Sequence, residues 1–139
     1  MLAVVLAGLA LGVLSRVEEL EAGFFVGIST HATWALAPYL AGVLASSAPR
    51  GALRGAVLLT CANAGYYAWS AAARPGVPLD SVAGSVPHWF AAGLGAGAVF
   101  GALGAVTRHG TAPLRIAAAV TTLTVIAADA AGAFGALLP

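Results

Sequence analysis

Residues 88–106 read HWFAAGLGAGAVFGALGAV, without an Asp, Glu, Lys or Arg. A helix needs roughly 20 such residues to cross about 30 Å of hydrocarbon. Backbone groups in lipid must pair within their own segment, so a run of this length there is a helix. Pro87 stands just before it, where a missing N–H costs nothing in the first helical turn. Working outward, similar runs occupy residues 2–17, 24–46, 53–73 and 115–137. The expected fold is all-α: one polytopic transmembrane bundle of about five spans, a single domain over residues 1–139. A soluble core helix keeps a polar face, and these runs scarcely have one.

Composition agrees. Hydrophobic residues make up 60% of the 139, charged residues 8%, and mean hydropathy is +0.95. The chain has no lysine, which excludes Schiff-base chemistry and a P-loop. Its single cysteine, Cys61, excludes a disulfide framework and a cysteine-ligated cluster. Net charge is +1 with no basic stripe, so no nucleic-acid partner is expected. Residues 1–14 lack a basic leader and a clean cleavage site, and read as part of the first span rather than a signal peptide.

Arginines orient the bundle. Arg50 and Arg54 follow the second span and Arg108 and Arg115 the fourth, against Arg16 and Arg74 in the other connections. The richer side is expected in the cytoplasm, with a cytoplasmic N-terminus and an outer C-terminus. Glu18, Glu19 and Glu21 then read as a solvated outer hairpin. The connection from Arg74 to Pro87, with Asp80, is long enough to fold over an opening as a lid.

Polar side chains interrupt the spans, and ionisable groups at bilayer depth are functional candidates. His31 and Tyr67 lie about 6 Å, and Asp129 about 5 Å, to the outer side of their span centres. Asn63 sits near the midplane, and His88 and Trp89 at the outer mouth. Thr60, Asn63, Tyr67 and Ser70 share one helical stripe; His31, Trp34 and Pro38 share another, Thr122 and Asp129 a third. Such stripes face other helices or water. The expectation is an outward-opening pocket whose ligand-binding residues are His31, Trp34, Asn63, Tyr66, Tyr67, His88, Trp89 and Asp129. The bland alternative is a hydrogen-bond cluster that holds helices together. Trp69, with Trp89, falls where interfacial aromatic belts belong.

No cofactor or metal is expected. His31 and His88 differ in depth by roughly 10 Å, and His31 with Asp129 alone would under-ligand a metal. Gly93, Gly97 and Gly101 form GxxxGxxxG, a helix-packing face, with Gly104 one turn further. Gly8 and Gly12 make a shorter one. These ridges pack within the chain or between subunits, which leaves a homo-oligomer or a larger membrane complex open.

The stretches LALGVL (9–14), RGALRGA (50–56), NAGYYAW (63–69) and VFGALGA (99–105) resemble an uncharacterised family of small multi-span bacterial integral membrane proteins. That resemblance covers most of the chain and implies no activity. In architecture alone the chain also looks similar to the substrate-binding subunits of vitamin importers. Those have six spans where five are read here, and the one motif to set beside their docking motifs is Ala3-x3-Ala7.

Three functions follow as expectations. One is binding or transport of a small molecule or ion, with an apolar or amphipathic ligand in the outer pocket. The second is a membrane-embedded enzyme on a lipidic or isoprenoid substrate, with Asp129 as general acid or base and His31 its partner. The third is a structural subunit of a larger membrane complex, built on the glycine ridges.

Overall fold

The computed structural model of the chain describes residues 1–20, 30–73 and 86–131. These residues are helical throughout, apart from short turns, with no strand among them. The helices are α1 (Leu2–Leu20), α2 (His31–Val43), α3 (Ala48–Ala73), α4 (Val86–His109) and α5 (Ala112–Ala130). Residue 21 of the acidic hairpin, the first part of the second run, the 74–85 connection with Asp80, and the end of the fifth run lie outside the described residues.

Several limits differ from the reading of the runs. α1 continues through Arg16, Glu18 and Glu19 because Arg16 and Glu19, three apart, pair across one turn at 2.7 Å. Glu18 and Glu19 therefore belong to a helix, not to a hairpin loop. α2 begins at His31, since Thr30 is extended and its hydroxyl accepts the Thr33 N–H. His31 is thus at the first turn of α2, and residues 24–29 of the 24–46 run lie outside the described residues. At 13 residues α2 is about 20 Å long, shorter than a bilayer's hydrocarbon. Pro49, read as ending the second run, stands in the first turn of α3, where proline is tolerated. Arg50 and Arg54 are accordingly on α3, Arg108 on the last turn of α4, and Arg115 on the first turn of α5, not in loops.

Two of these helices, α4 and residues 112–129 of α5, are long and apolar enough to cross a membrane.

α3 is the centre. α1 and α4 pack on it most extensively, α2 lies across α3 and α4, and α5 rests on α4 and α2. The seams are made of small residues. Gly8 and Gly12 of α1 meet the α3 backbone at Leu58 and Ala62; Gly97 of α4 meets Gly55, and Gly101 meets Gly51 and Gly55. Gly42 of α2 abuts Gly101, and Gly104 abuts Tyr39. The glycine ridges Gly93, Gly97 and Gly101 thus pack within the chain, on α3 and α2. Buried hydrophobic positions are mainly alanines, with Leu58 and Leu59, whereas Leu2, Leu44, Leu53, Leu94, Ile116 and Leu123 are all more than half exposed. A water-driven core would enclose the leucines first. Here close backbone approach sets the interior.

Candidate functional site

Five aromatic side chains, Trp34, Tyr66, Tyr67, Trp89 and Phe100, converge on one cavity of about 680 Å³. Its polar wall is Ser15, Glu19, His31 and Asn63, and Val125 reaches it from α5. Each helix delivers its part by ordinary spacing. Asn63, Tyr66 and Tyr67 stand within about one turn on α3, Trp34 and His31 three apart on α2, and Ser15 and Glu19 four apart on α1.

Internal bonds hold the wall. The Tyr66 hydroxyl donates to Glu19 Oε2 at 2.6 Å. Arg16 Nη1 donates to the same oxygen at 2.7 Å and reaches the Tyr66 hydroxyl oxygen at 3.3 Å. The guanidinium carbon lies 5.3 Å from the Tyr66 ring centroid, so charge and ring face also attract. Trp34 Nε1–H donates to Ser15 Oγ at 3.1 Å, and Ser15 is almost fully buried. Buried Asn63 donates from Nδ2 to the carbonyls of Leu59 (3.2 Å) and Trp89 (3.1 Å), tying α3 to α4. Gly93 leaves room for that amide, because a Cβ there would strike it. Tyr67 meets Tyr66 edge-on at 5.4 Å and stacks on Phe90 at 6.2 Å.

Behind this wall the structure joins His31 to Asp129. His31 Nδ1 lies 3.0 Å from Asp129 Oδ1, and the Ala32 N–H donates to Asp129 Oδ2 at 2.8 Å. An ionised carboxylate oxygen only accepts, so Nδ1 of His31 then carries the proton of that bond. The first N–H groups of a helix have no partner within it and carry the positive end of its dipole. Asp129 from α5 is therefore a tertiary cap on α2. Its side chain is 11% exposed and that of His31 60%.

The sequence-derived residues divide accordingly. His31, Trp34, Asn63, Tyr66, Tyr67 and Trp89 line the cavity. Asp129 stands behind His31, off the lining. His88 is exposed in the first turn of α4, edge-on to Trp89 at 5.6 Å, and is also off the lining. Of the α3 stripe, Ser70 donates to Tyr66 O at 2.8 Å, while buried Thr60 Oγ1 has no hydrogen-bond partner among the described residues. Thr122 is buried and bonds back to Ala118 O at 3.0 Å.

Sequence reading missed Ser15, Glu19 and Phe100. The signal for Glu19 was present: Arg16 and Glu19 at helical spacing extend α1 far enough to carry the carboxylate to the cavity. Ser15 and Phe100 carry no such signal, because a serine or a phenylalanine in an apolar run marks no particular face.

The arrangement can enclose an apolar body and meet a few polar atoms at one wall, a pattern typical of small-molecule sites of 300–1,000 Å³. No family model, curated protein or solved structure matches this chain.

Proposed function

We propose that the chain is a multi-pass membrane protein that binds or transports a small amphipathic molecule through the aromatic cavity. The observation that carries this reading is the cavity of about 680 Å³ with its aromatic lining and single polar wall. Two helices of membrane-crossing length and the exposed leucines support a lipid setting. In this reading all five helices lie in the bilayer. α2 is a half-length helix whose N-terminus ends beside the ligand, and such broken helices supply sites in transporters. The arginine-bearing end faces the cytoplasm, with the N-terminus on that side and the cavity opening outward. The resemblance to small multi-span bacterial proteins is part of the same reading.

The cavity is tested by filling it. Ala96 lies on its wall, so Ala96→Trp should remove a small molecule that accompanies the membrane-extracted protein in native mass spectrometry. The melting temperature should stay within a few degrees. Equal retention by wild type and variant, or no such molecule on either, would overturn the reading.

Topology has its own measurement. Ser46 and Thr111 are exposed in turns at the arginine-bearing end. In a chain lacking Cys61, Ser46→Cys and Thr111→Cys should resist an impermeant thiol reagent in intact cells and react after permeabilisation. Reaction in intact cells would reverse the orientation.

One observation favours a second reading, an enzyme on a lipidic or isoprenoid substrate. An imidazole oriented by a carboxylate at a cavity wall, as His31 is by Asp129, is the pairing that proton transfer uses.

A further inference from the structure

Charge is divided between the two ends of the molecule. The described carboxylates gather at one: Glu18 and Glu19 on the last turn of α1, and Asp129 at the start of α2. The other end lies a helix length away, since His31 and Val43 are separated by about 18 Å along α2.

There, two arginines and a histidine converge on consecutive residues where α2 ends. Arg108 Nη1 donates to Val43 O at 3.1 Å, Arg54 Nη1 to Leu44 O at 2.6 Å, and His109 Nε2 to Ala45 O at 2.9 Å. Arg50 Nη1 donates to Ser46 Oγ at 2.7 Å. Arg115 joins them through its Nε bond to Thr107 O at 2.9 Å, in the last turn of α4. Helix C-termini carry partial negative charge, which accounts for one donor each from Arg54, Arg108, Arg115 and His109. It does not account for the surplus. Each guanidinium has five N–H groups, and among the described residues these bonds use one apiece, with no carboxylate beside them. Three of these four positive charges are thus anchored by backbone carbonyls and the fourth, Arg50, by the Ser46 hydroxyl, all at one end of the molecule.

Apolar surface adjoins this collar. Leu44, whose own carbonyl accepts from Arg54, is 70% exposed, and Leu53 stands beside Arg54 on α3. Leu114 and Ile116 flank Arg115 and are both more than half exposed. A ligand matching both features has an anionic phosphate head and an apolar tail.

We infer that the arginine collar formed by Arg50, Arg54, Arg108 and Arg115 is a binding site for the phosphodiester headgroup of an anionic phospholipid, with the acyl chains lying along the exposed leucines. Basic clusters between membrane helices on the cytoplasmic side take such headgroups, and guanidinium forks match phosphate oxygens in pairs. The inference rests on the membrane reading above and is independent of the cavity.

The test uses the full chain extracted in neutral detergent. It is titrated with short-chain phosphatidylglycerol, with short-chain phosphatidylcholine, and with sodium phosphate at constant ionic strength, each followed by melting temperature and native mass. Phosphatidylglycerol should be retained and stabilising, phosphatidylcholine much less so, and sodium phosphate should not displace the lipid. Arg54→Gln with Arg108→Gln should weaken retention roughly thirty-fold, whereas Arg54→Lys with Arg108→Lys, which keeps charge and a carbonyl donor, should retain most of it. If the glutamine pair does not fold, Arg50→Gln, which touches no backbone carbonyl, should still weaken binding about five-fold. Equal retention of the two lipids, unchanged affinity in the glutamine variants, or equal loss in the lysine pair would overturn the site. Displacement by sodium phosphate would assign the collar to a soluble anion instead and overturn the lipid. Recovery of the chain in the soluble fraction without detergent would sink the membrane reading itself; a membrane-extracted chain indifferent to phosphatidylglycerol sinks the collar alone.

Discussion

Gly101→Ala lowers the melting temperature of the detergent-extracted chain, and Gly95→Ala, six residues earlier on the same helix, does not. Gly101 sits where α2, α3 and α4 meet. A Cβ there would run into the Gly51 carbonyl and the Gly55 Cα, and Gly42 of α2 lies against the Gly101 backbone from the other side. These obstacles are backbone, so no side chain can swing away, and the helices must separate. Overpacking of this kind costs about 1–3 kcal/mol, which exceeds the roughly 1 kcal/mol by which alanine outdoes glycine as a helix former. At Gly95 nothing lies within 4 Å of the added methyl, so that propensity gain stands alone and stability should hold or rise. Gly101→Leu cannot be accommodated by a small shift and should yield no monodisperse protein. Thermal unfolding of the two alanine variants in one detergent decides the matter. Shifts of the same sign and size would mean that α4 does not seat on α3 through this ridge.

Asp129→Ala should loosen α5 from α2, with a cost of about 1–3 kcal/mol. The variant leaves the Ala32 N–H without its Asp129 acceptor and removes the carboxylate bonded to His31 Nδ1. Among the described residues α5 packs chiefly along α4 and α2, and this carboxylate ties its far end to α2. Asp129→Asn keeps an oxygen for the Ala32 N–H and loses the charge that faces the helix dipole, so it should cost well under half as much. His31→Ala removes one of the two bonds and should fall between them. Hydrogen exchange at the Ala32 amide reads the cap directly: protection should drop in Asp129→Ala and persist in His31→Ala. The same variants divide the two functional readings. If Asp129→Asn abolishes ligand retention or turnover while Ala32 stays protected, the carboxylate acts chemically through His31. If the Ala32 amide exchanges no faster in Asp129→Ala than in wild type, the cap is not formed.

Much of this molecule is legible in its residue order. Long runs of alanine, leucine and glycine with almost no charge admit only helices, and Pro87 and Pro113 mark where two of them begin. Local periodicity also places Asn63 and Tyr67 on one face of α3, and Gly93, Gly97 and Gly101 on one ridge of α4. These are properties of a single helix, fixed by a repeat of 3.6 residues, and need no knowledge of a neighbour. Which surface meets which was decided by tertiary packing. The α4 ridge found its counterpart at Gly51 and Gly55 because two glycine backbones can approach each other more closely than either can approach a leucine. Glu19 reached the cavity because α1 persists one turn beyond its apolar run and lies against α3, where Tyr66 donates to it. Asp129 shares a depth with His31 in the sequence, yet its second partner is a backbone N–H of Ala32, a donor that every residue but proline carries and that no residue type announces. The arginine collar is likewise invisible in order alone. Its members come from α3, α4 and α5: carbonyls at the end of α2 hold Arg54 and Arg108, the Ser46 hydroxyl holds Arg50, and the last turn of α4 holds Arg115.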